Sequence, residues 1–311
     1  MNTPLQVQDV RYSYGKTRAV DGVSFTVGPG EIFGLLGPNG AGKTTTISMI
    51  CGLLPPESGQ VLIFGREAAE TSGAARSRMG VVPQEIALYE ELTAVENLRF
   101  WGRVHGLAGA RLKTAVDQAL EQVGLTDRAS EKAAKYSGGL KRRLNLAIGL
   151  VHGPDLILLD EPTVGIDPQA RLRILDVVKT QAAAGRSVVY TSHYLEEAEQ
   201  ICDRLAIVDH GRVLAEGTVA ELRRQVGEGP VVHLRGKVPD DHLIALAARL
   251  PGLKLLTCGE GAASFSASDA TTCSGLGREL FQSGAHVEVL RVSEPSLQTL
   301  FLKLTGRELR D

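Results

Sequence analysis

The stretch that decides the fold reads Gly37-Pro38-Asn39-Gly40-Ala41-Gly42-Lys43-Thr44-Thr45. It matches the pattern G-x-x-x-x-G-K-[ST], it follows an apolar strand at 32–36, and it precedes a run without Pro or Gly at 43–51. In this order of strand, turn and helix, backbone N–H groups surround phosphate oxygens. Lys43 would reach the outer phosphates, and the Thr44 hydroxyl would ligate Mg²⁺. The alternative, a plain glycine-rich turn beside a surface lysine, does not explain the flanking strand and helix.

Two adjacent carboxylates end a second apolar strand, at 156–159, which is followed directly by Asp160 and Glu161. Open α/β sheets bind their ligands at the carboxyl ends of the strands. Asp160 would hold Mg²⁺ through water, and Glu161 would orient or deprotonate an attacking water. Read alone, the pair could be two solvated acids. Beside a phosphate loop, the roles of Asp160 in holding Mg²⁺ and of Glu161 in activating water are favoured over two solvated acids.

Hydrophobic periodicity predicts an α/β core over residues 1–226. Alternation predicts strands at 5–10 and 23–27, in addition to the strand at 32–36. Apolar residues three and four apart predict a helical subdomain at about 85–151, with helices at 92–104, 110–123 and 140–151. A crossover unit of a parallel sheet follows, with a strand at 156–159, a helix at 168–184 and a strand at 187–191.

A smaller α+β domain is predicted at 227–311, after the linker Gly227-Glu228-Gly229-Pro230. Its elements alternate between strand and helix in an order that is typical of a ferredoxin-like domain. The predicted elements are strand 231–235, helix 240–249, strands 253–257 and 263–267, helix 273–283, strand 286–291 and a last helix at 296–304.

Composition excludes several classes of protein. The 34 basic and 36 acidic residues leave a formal charge of -2, which argues against a nucleic-acid partner. The four cysteines match no zinc or short disulfide spacing, which fits a reduced cytosolic compartment. No apolar run approaches the roughly 20 residues that span a bilayer. Any role in a membrane would therefore require a partner.

A second anion-binding helix start follows Tyr136, where Ser137, Gly138 and Gly139 precede Leu140. With this motif the sequence resembles the ATP-binding subunits of ABC transporters, whose signature usually reads Leu-Ser-Gly-Gly-Gln. Tyr136 and Leu140 depart from that signature, while its Ser-Gly-Gly centre is retained. The resemblance covers about residues 5–225 and implies a P-loop NTPase fold that uses ATP and Mg²⁺.

The resemblance also implies a homodimer with two ATP sites, because in this family the signature of one subunit closes over the ATP held by the other. Gln84 resembles the Q-loop glutamine, which would ligate Mg²⁺ and report on the membrane partner. His193 resembles the switch histidine at the γ-phosphate, and Asp167 resembles a D-loop contact at the dimer interface. Asp167 could equally cap the helix that begins at Pro168. Tyr14 resembles the aromatic residue that stacks on adenine, with Tyr12 as the alternative.

Details of the sequence are similar to the branch that serves ABC-2-type exporters, and the end of the chain is similar to daunorubicin-resistance-type subunits. The stretches that carry this similarity are 136–139, 144–147, 165–168, 294–297 and 301–306. The resemblance implies an integral membrane permease as partner, a peripheral location at the cytoplasmic face, and a drug, antibiotic or lipid-like substrate. The residues alone also allow a soluble ABC-type ATPase not coupled to transport, or a protein that holds ATP without turnover. The presence of Glu161 favours turnover.

Overall fold

The computed structural model describes residues 3–68, 73–226, 229–259 and 261–305. Gly227 and Glu228 of the predicted linker, and Gly306 of the terminal motif, lie outside these residues. Contacts divide the chain into two compact units, Met1–Glu216 and Gly217–Arg310.

The first unit contains two β-sheets. Its strands are β1 (Leu5–Tyr14), β2 (Thr17–Val27), β3 (Ile32–Leu36), β4 (Ser58–Ile63), β5 (Arg66–Glu67), β6 (Met79–Val82), β7 (Leu156–Asp160), β8 (Ser187–Ser192), β9 (Arg204–Asp209) and β10 (Arg212–Thr218), the last of which ends just inside the second unit. The periodicity had predicted β1, β2, β3, β7 and β8, with ends that differ by a few residues.

The larger sheet has six strands in the order β10-β9-β3-β8-β7-β6. Strand β3 runs parallel to both β8 and β9, and β7 runs parallel to β6 and β8. Every residue of β3 and of β7 is buried, as expected for parallel strands covered on both faces. This order brings the carboxyl ends of β3, β8, β7 and β6 to one edge, and so decides where the site forms.

The smaller sheet has the order β2-β1-β4-β5, and β1 pairs antiparallel with β2 and β4. Its apolar face packs into the same core as β3, where the rings of Phe25 and Phe33 stack 4.8 Å apart. Strand β1 ends at Tyr14, next to the turn at Gly15, which has φ of 59°. The sheet thereby carries Tyr14 to the rim of the core.

The helices of the first unit connect these strands. They are α1 (Lys43–Ile50), α2 (Gly73–Arg76), α3 (Ala94–Val104), α4 (Gly109–Gln122), α5 (Gly138–Leu150), α6 (Pro168–Ala183) and α7 (Leu195–Ile201). The predicted helical subdomain corresponds to α3, α4 and α5. A capping box begins α3, because Thr93 accepts from the Glu96 backbone N–H while Glu96 accepts from that of Thr93.

The second unit has a ferredoxin-like topology, as the order of its elements predicted. Its elements are α8 (Val219–Val226), β11 (Val231–Lys237), α9 (Asp240–Arg249), β12 (Leu253–Gly259), β13 (Ala262–Ala267), α10 (Ala270–Gln282), β14 (His286–Ser293) and α11 (Leu297–Thr305). The sheet order is β12-β13-β11-β14 with antiparallel neighbours, so each helical crossover skips one strand. Helix α8 was not predicted.

Within the described ranges, no helix is both long and apolar enough to cross a membrane.

One half-buried histidine, His152, makes the stability of the first unit depend on pH. The rings of His105 and His152 stack with centroids 3.7 Å apart, and His152 Nε2 donates to the Met79 carbonyl at 3.1 Å. Burial, followed by the charge of His105, lowers the pKa of His152 from 6.5 to about 4. The folded state therefore keeps this ring neutral, and stability that is present above pH 6.5 is lost as the pH falls towards 4.

We expect His152→Gln, which retains an N–H donor but does not titrate, to flatten this pH dependence. Because the ring is partly exposed and water screens it, the wild type should lose about 1 to 2 kcal/mol more than the variant between pH 7 and pH 5. Urea unfolding midpoints at both pH values measure the difference. His210→Gln, at a side chain that is 81% exposed, is the control, and its stability should show the same pH dependence as that of the wild type. Parallel pH curves for His152→Gln and wild type would contradict this assignment.

Candidate functional site

The phosphate loop follows β3 and ends at Gly42, the residue before α1. Gly42 has φ of 101°, and a Cβ there would lie 2.4 Å from the Ala19 carbonyl oxygen. Only glycine combines that backbone conformation with so close an approach. The glycine in the motif thus fixes both the turn and its packing against β2.

Lys43 is buried at the first turn of α1, with 4% of its side chain exposed. Its Nζ donates to the carbonyl oxygens of Gly37 at 2.7 Å and Pro38 at 3.1 Å. The same Nζ lies 2.9 Å from Oε1 of Glu161. The loop therefore places one cation where its own carbonyls and an acidic side chain meet.

Glu161 directly follows β7 and is as buried as Lys43. Its φ is 46°, a left-handed conformation that costs a non-glycine residue about 1 to 2 kcal/mol. Its backbone N–H donates to Thr191 Oγ1 at 2.9 Å, and His193 Nδ1 lies 3.2 Å from its Oε2. Strained backbone that persists in a buried site is characteristic of functional residues.

The side chains predicted from separate motifs converge on Glu161. Gln84 Nε2 is 3.5 Å from Glu161 Oε2, and Gln84 follows β6 just as His193 follows β8. Asp160 is buried at the end of β7, where its Oδ1 accepts from Thr191 Oγ1 at 2.7 Å. The structure thus brings together Lys43, Gln84, Asp160, Glu161 and His193 at one edge of the sheet.

A cleft of about 460 Å³ opens beside this cluster. Its lining includes most of the phosphate loop, one aromatic side chain, and two polar side chains of the cluster in addition to Lys43 of the loop. Its lining residues are Tyr14, Ala19, Asn39, Gly40, Ala41, Gly42, Lys43, Thr44, Thr45, Gln84 and Glu161. Ala19 was not predicted from the sequence, and no local pattern marks it.

Tyr14 stands at the rim of the cleft with 53% of its surface exposed, and its ring packs edge-on against Tyr12 at 5.0 Å. We expect Tyr14→Ala to weaken ATP binding by about two- to twelvefold, the worth of one aromatic stacking pair. Titration with a fluorescent ATP analogue measures the change. Tyr12→Ala is the control, since Tyr12 does not line the cleft. An unchanged affinity in folded Tyr14→Ala, or a larger loss in Tyr12→Ala, would place the adenine contact elsewhere.

Ser137, Gly138, Gly139 and Asp167 do not line this cleft. Ser137 Oγ caps α5 by accepting from the Leu140 N–H, and Asp167 Oδ1 caps α6 by accepting from two backbone N–H groups. A Cβ at Gly139 would lie 3.0 Å from Asp167 Oδ2, so that glycine lets the two helix starts approach. The capping alternative for Asp167 is therefore correct, and it leaves the proposed dimer contact open.

Two residues of α5 hold the loop that carries Gln84, and the sequence did not single them out. Arg142 donates to the carbonyl oxygens of Gln84 at 2.6 Å and of Glu161 at 3.3 Å. Asn145 accepts from the Ala87 N–H at 3.1 Å. Burial lowers the pKa of Arg142, while the charges of Glu161 and Asp160 act in the opposite direction. The sequence signal for Arg142 was its position as a charged residue on the apolar face of the helix predicted at 140–151.

The chain is similar to known proteins along most of its length. A family model described as ABC transporter matches residues 20–164. The linearmycin resistance ATP-binding protein LnrL of Bacillus subtilis (strain 168) is 44% identical, over 99% of this chain and 100% of its own. The daunorubicin resistance ATP-binding protein DrrA3 of Streptomyces coeruleorubidus is 37% identical, over 99% and 98%. A solved ATP-binding subunit of an ABC transporter is 36% identical, with a TM-score of 0.66 over 72% of this chain and 94% of its own.

Proposed function

Since the chain belongs to the ABC transporter family of ATP-binding proteins, we propose that it powers export through a membrane subunit of ABC-2 type. The proposed substrate is a drug, an antibiotic or a lipid-like molecule. The chain is an ATPase that works with a separate membrane component. Two of its relatives are named for resistance to linearmycin and to daunorubicin, and the similarity to each runs through both units of this chain. That full-length similarity supports the exporter branch over a soluble ATPase.

We assign the hydrolytic roles from the contacts of Glu161. The phosphate loop and Lys43 bind the phosphates of ATP, and Glu161 accepts a proton from the attacking water. His193 and Gln84, both within 3.5 Å of Glu161, orient that carboxylate, and His193 contacts the γ-phosphate. The observation that carries the proposal is this convergence of three strand ends on one buried carboxylate beside a phosphate loop.

The oxygen-rich donors beside the loop fit Mg²⁺. Mg²⁺ in such sites uses one or two carboxylates together with substrate phosphates. Asp160 supplies the carboxylate, Thr44 a hydroxyl and Gln84 an amide oxygen. No cluster of three or more His, Cys, Asp or Glu suited to a metal occurs in the described part of the chain. When bound, Mg²⁺ neutralises charge on the phosphates.

A second copy of the chain completes each ATP site in this proposal. The cleft presents the phosphate loop from one side, whereas the start of α5 lies outside the lining. A Cβ at Gly138 would meet no atom within 4 Å, so this helix start is open to a ligand held by another subunit. Residues 1–226 form the ATP-binding domain in this proposal, and residues 227–311 form an accessory domain that tunes dimerisation or docking.

The membrane partner is proposed to dock on an exposed apolar surface that follows Gln84. This docking surface consists of Ile86, Tyr89, Phe100 and Val104, each more than one-third exposed. The rings of Tyr89 and Phe100 pack edge-on at 4.9 Å. Glu90, beside the surface, pairs with Lys141 of α5, the helix that carries the signature residues. Movement of the docking surface by a membrane partner would therefore be transmitted both to Gln84 and to the signature residues at the start of α5.

We expect Tyr89→Ala to abolish stimulation of the ATPase by the membrane subunit, while basal ATPase stays within about twofold of wild type because Tyr89 lines no part of the cleft. Substitution of Glu90 or of the exposed Glu91 should act in the same direction. Coexpression with candidate membrane subunits, pull-down from detergent and an ATPase assay measure both quantities. Leu214→Ala, at an exposed apolar residue of β10, is the matched control. Normal stimulation in the Tyr89 and Glu90 variants would contradict this docking surface, and failure of any integral membrane protein to copurify would support the soluble ATPase.

A further inference from the structure

Another buried acidic residue, Glu197, lies four residues after His193 and has no part in the roles assigned above. Glu197 of α7 is 3% exposed and lines no part of the cleft. A carboxylate taken out of water is tolerated only when hydrogen bonds and a counter-charge compensate it. The hydrogen-bond and ion-pair partners of Glu197 therefore indicate which segments of the chain this carboxylate holds in place.

Three hydroxyl groups converge on one oxygen of Glu197. Its Oε2 accepts from Tyr190 OH at 2.5 Å, Thr163 Oγ1 at 2.7 Å and Ser192 Oγ at 3.3 Å. Its other oxygen, Oε1, lies 3.1 Å from Arg171 Nε of α6. Burial, followed by the charge of Glu197, raises the pKa of Tyr190 well above its usual range, so the phenol stays protonated and donates.

The donors stand next to the hydrolytic residues in the chain. Thr163 is two residues after Glu161, and Ser192 immediately precedes His193. Ser192 Oγ also accepts from the Tyr194 N–H at 2.9 Å, which fixes the backbone on the other side of His193. The His193 ring packs against the Tyr194 ring at 4.1 Å, and the Arg171 guanidinium covers Tyr194 at 4.7 Å. One carboxylate thus ties together the two segments that carry Glu161 and His193.

We propose that Glu197 is a positioning residue for ATP hydrolysis, which holds the segments after β7 and β8 so that Glu161 and His193 keep their contact. This inference rests on the proposed roles of those two residues. Glu197 acts through them and touches neither the nucleotide nor the attacking water.

The chemistry of the cluster explains why a carboxylate is required. The three hydroxyls donate to Oε2 of Glu197, and the Arg171 guanidinium is its ion-pair partner at Oε1, so the site requires both an acceptor and a negative charge. An amide of the same shape must turn its NH₂ group either towards Arg171 Nε or towards the three hydroxyls. With the NH₂ group towards the hydroxyls, the two segments lose their shared acceptor. With the NH₂ group towards Arg171, the amide nitrogen faces the guanidinium and the counter-charge is lost, so Glu197 no longer anchors the cluster through Arg171.

The test is Glu197→Gln in the full-length chain. We expect kcat for ATP to fall about 10- to 100-fold, the cost of misplacing catalytic groups by about 1 Å, while KM and ATP affinity stay within about threefold. Glu196→Gln, the same change at the exposed neighbouring residue of α7, should leave kcat unchanged. A kcat for Glu197→Gln within about threefold of wild type, or an equal loss in Glu196→Gln, would overturn the proposal.

A double variant separates this proposal from the proposed function itself. If Glu197 acts by keeping the Glu161 carboxylate in contact with His193, then Glu161→Gln with Glu197→Gln should hydrolyse ATP within about threefold of Glu161→Gln alone in single-turnover assays. Multiplied losses would show that Glu197 acts by another route. Wild-type turnover in Glu161→Gln would instead overturn the role of Glu161 in the proposed function. The kcat of Glu197→Gln is measured independently of that outcome, so the two failures can be distinguished.

Thr163→Val decides the question if Glu197→Gln does not fold. Valine keeps the shape of threonine and removes only the hydroxyl that links Glu197 to the segment after Glu161. We expect kcat to fall about three- to tenfold without a change in KM, consistent with the loss of one hydrogen bond to a charged group. An unchanged kcat in this variant would overturn the proposal.

Discussion

Glu161→Gln should bind ATP but hydrolyse it about 10² to 10⁴ times more slowly, because the substitution removes a positioned general base and retains its shape. The amide can still accept from Lys43 Nζ, which lies 2.9 Å from Oε1 in the wild type. Binding should therefore be largely preserved. Steady-state phosphate release at saturating ATP, together with equilibrium binding of ATP, measures the two effects separately.

The same variant should accumulate as an ATP-dependent dimer on a sizing column, because hydrolysis no longer reopens it. Glu196→Gln is the matched control and should remain at the wild-type rate and oligomeric state. Turnover of Glu161→Gln within about threefold of wild type would show that another residue activates the water, since the expected range begins at about a hundredfold.

Lys43→Met should abolish detectable ATP binding and also lower the stability of the nucleotide-free protein by about 3 kcal/mol. The structural reason is that Lys43 and Glu161 form an ion pair with both side chains 4% exposed. Removal of the cation leaves the Glu161 carboxylate buried without its main counter-charge. Urea unfolding of the nucleotide-free variant measures the loss.

A double variant distinguishes loss of the pair from loss of packing. Adding Glu161→Gln to Lys43→Met removes the unpaired charge, so at least half of the lost stability should return. Arg18→Met breaks an exposed pair with Glu57 at 2.8 Å and is the control, with an expected change below about 1 kcal/mol. If the double variant were no more stable than Lys43→Met alone, the ion pair would not be what stabilises this site.

Local patterns were sufficient for the parts of the fold that repeat along the chain. The strands β3, β7 and β8 follow from short apolar runs bounded by turn residues, because parallel strands are buried on both faces. The helices α5 and α6 follow from apolar periodicity, because burial on one face of a helix selects a period. The order of elements in the second unit likewise predicted its ferredoxin-like sheet. Strands such as β9 and β10, and helix α8, were not predicted, because they have short patterns that several structures share.

The candidate site was predicted residue by residue, but its contacts were not. Glu161 was recognised at the end of a predicted strand, and Gln84 and His193 by their resemblance to family motifs. Nothing in the sequence says how close these residues lie. Their proximity requires β6, β7 and β8 to be adjacent in the sheet, a property of the strand order. The positive φ of Glu161 and the support from Arg142 have the same origin, since each depends on residues far away in the chain.

The sequence by itself determined the phosphate loop, because the glycines, Lys43 and Thr44 act through the backbone conformation of a few consecutive residues. Only the tertiary structure decided which charges meet there: Lys43 with Glu161, and Glu197 with the hydroxyls of Thr163, Tyr190 and Ser192. The physical reason is that ion pairs and buried hydrogen bonds act over about 3 Å in space, whatever the separation of their partners along the chain.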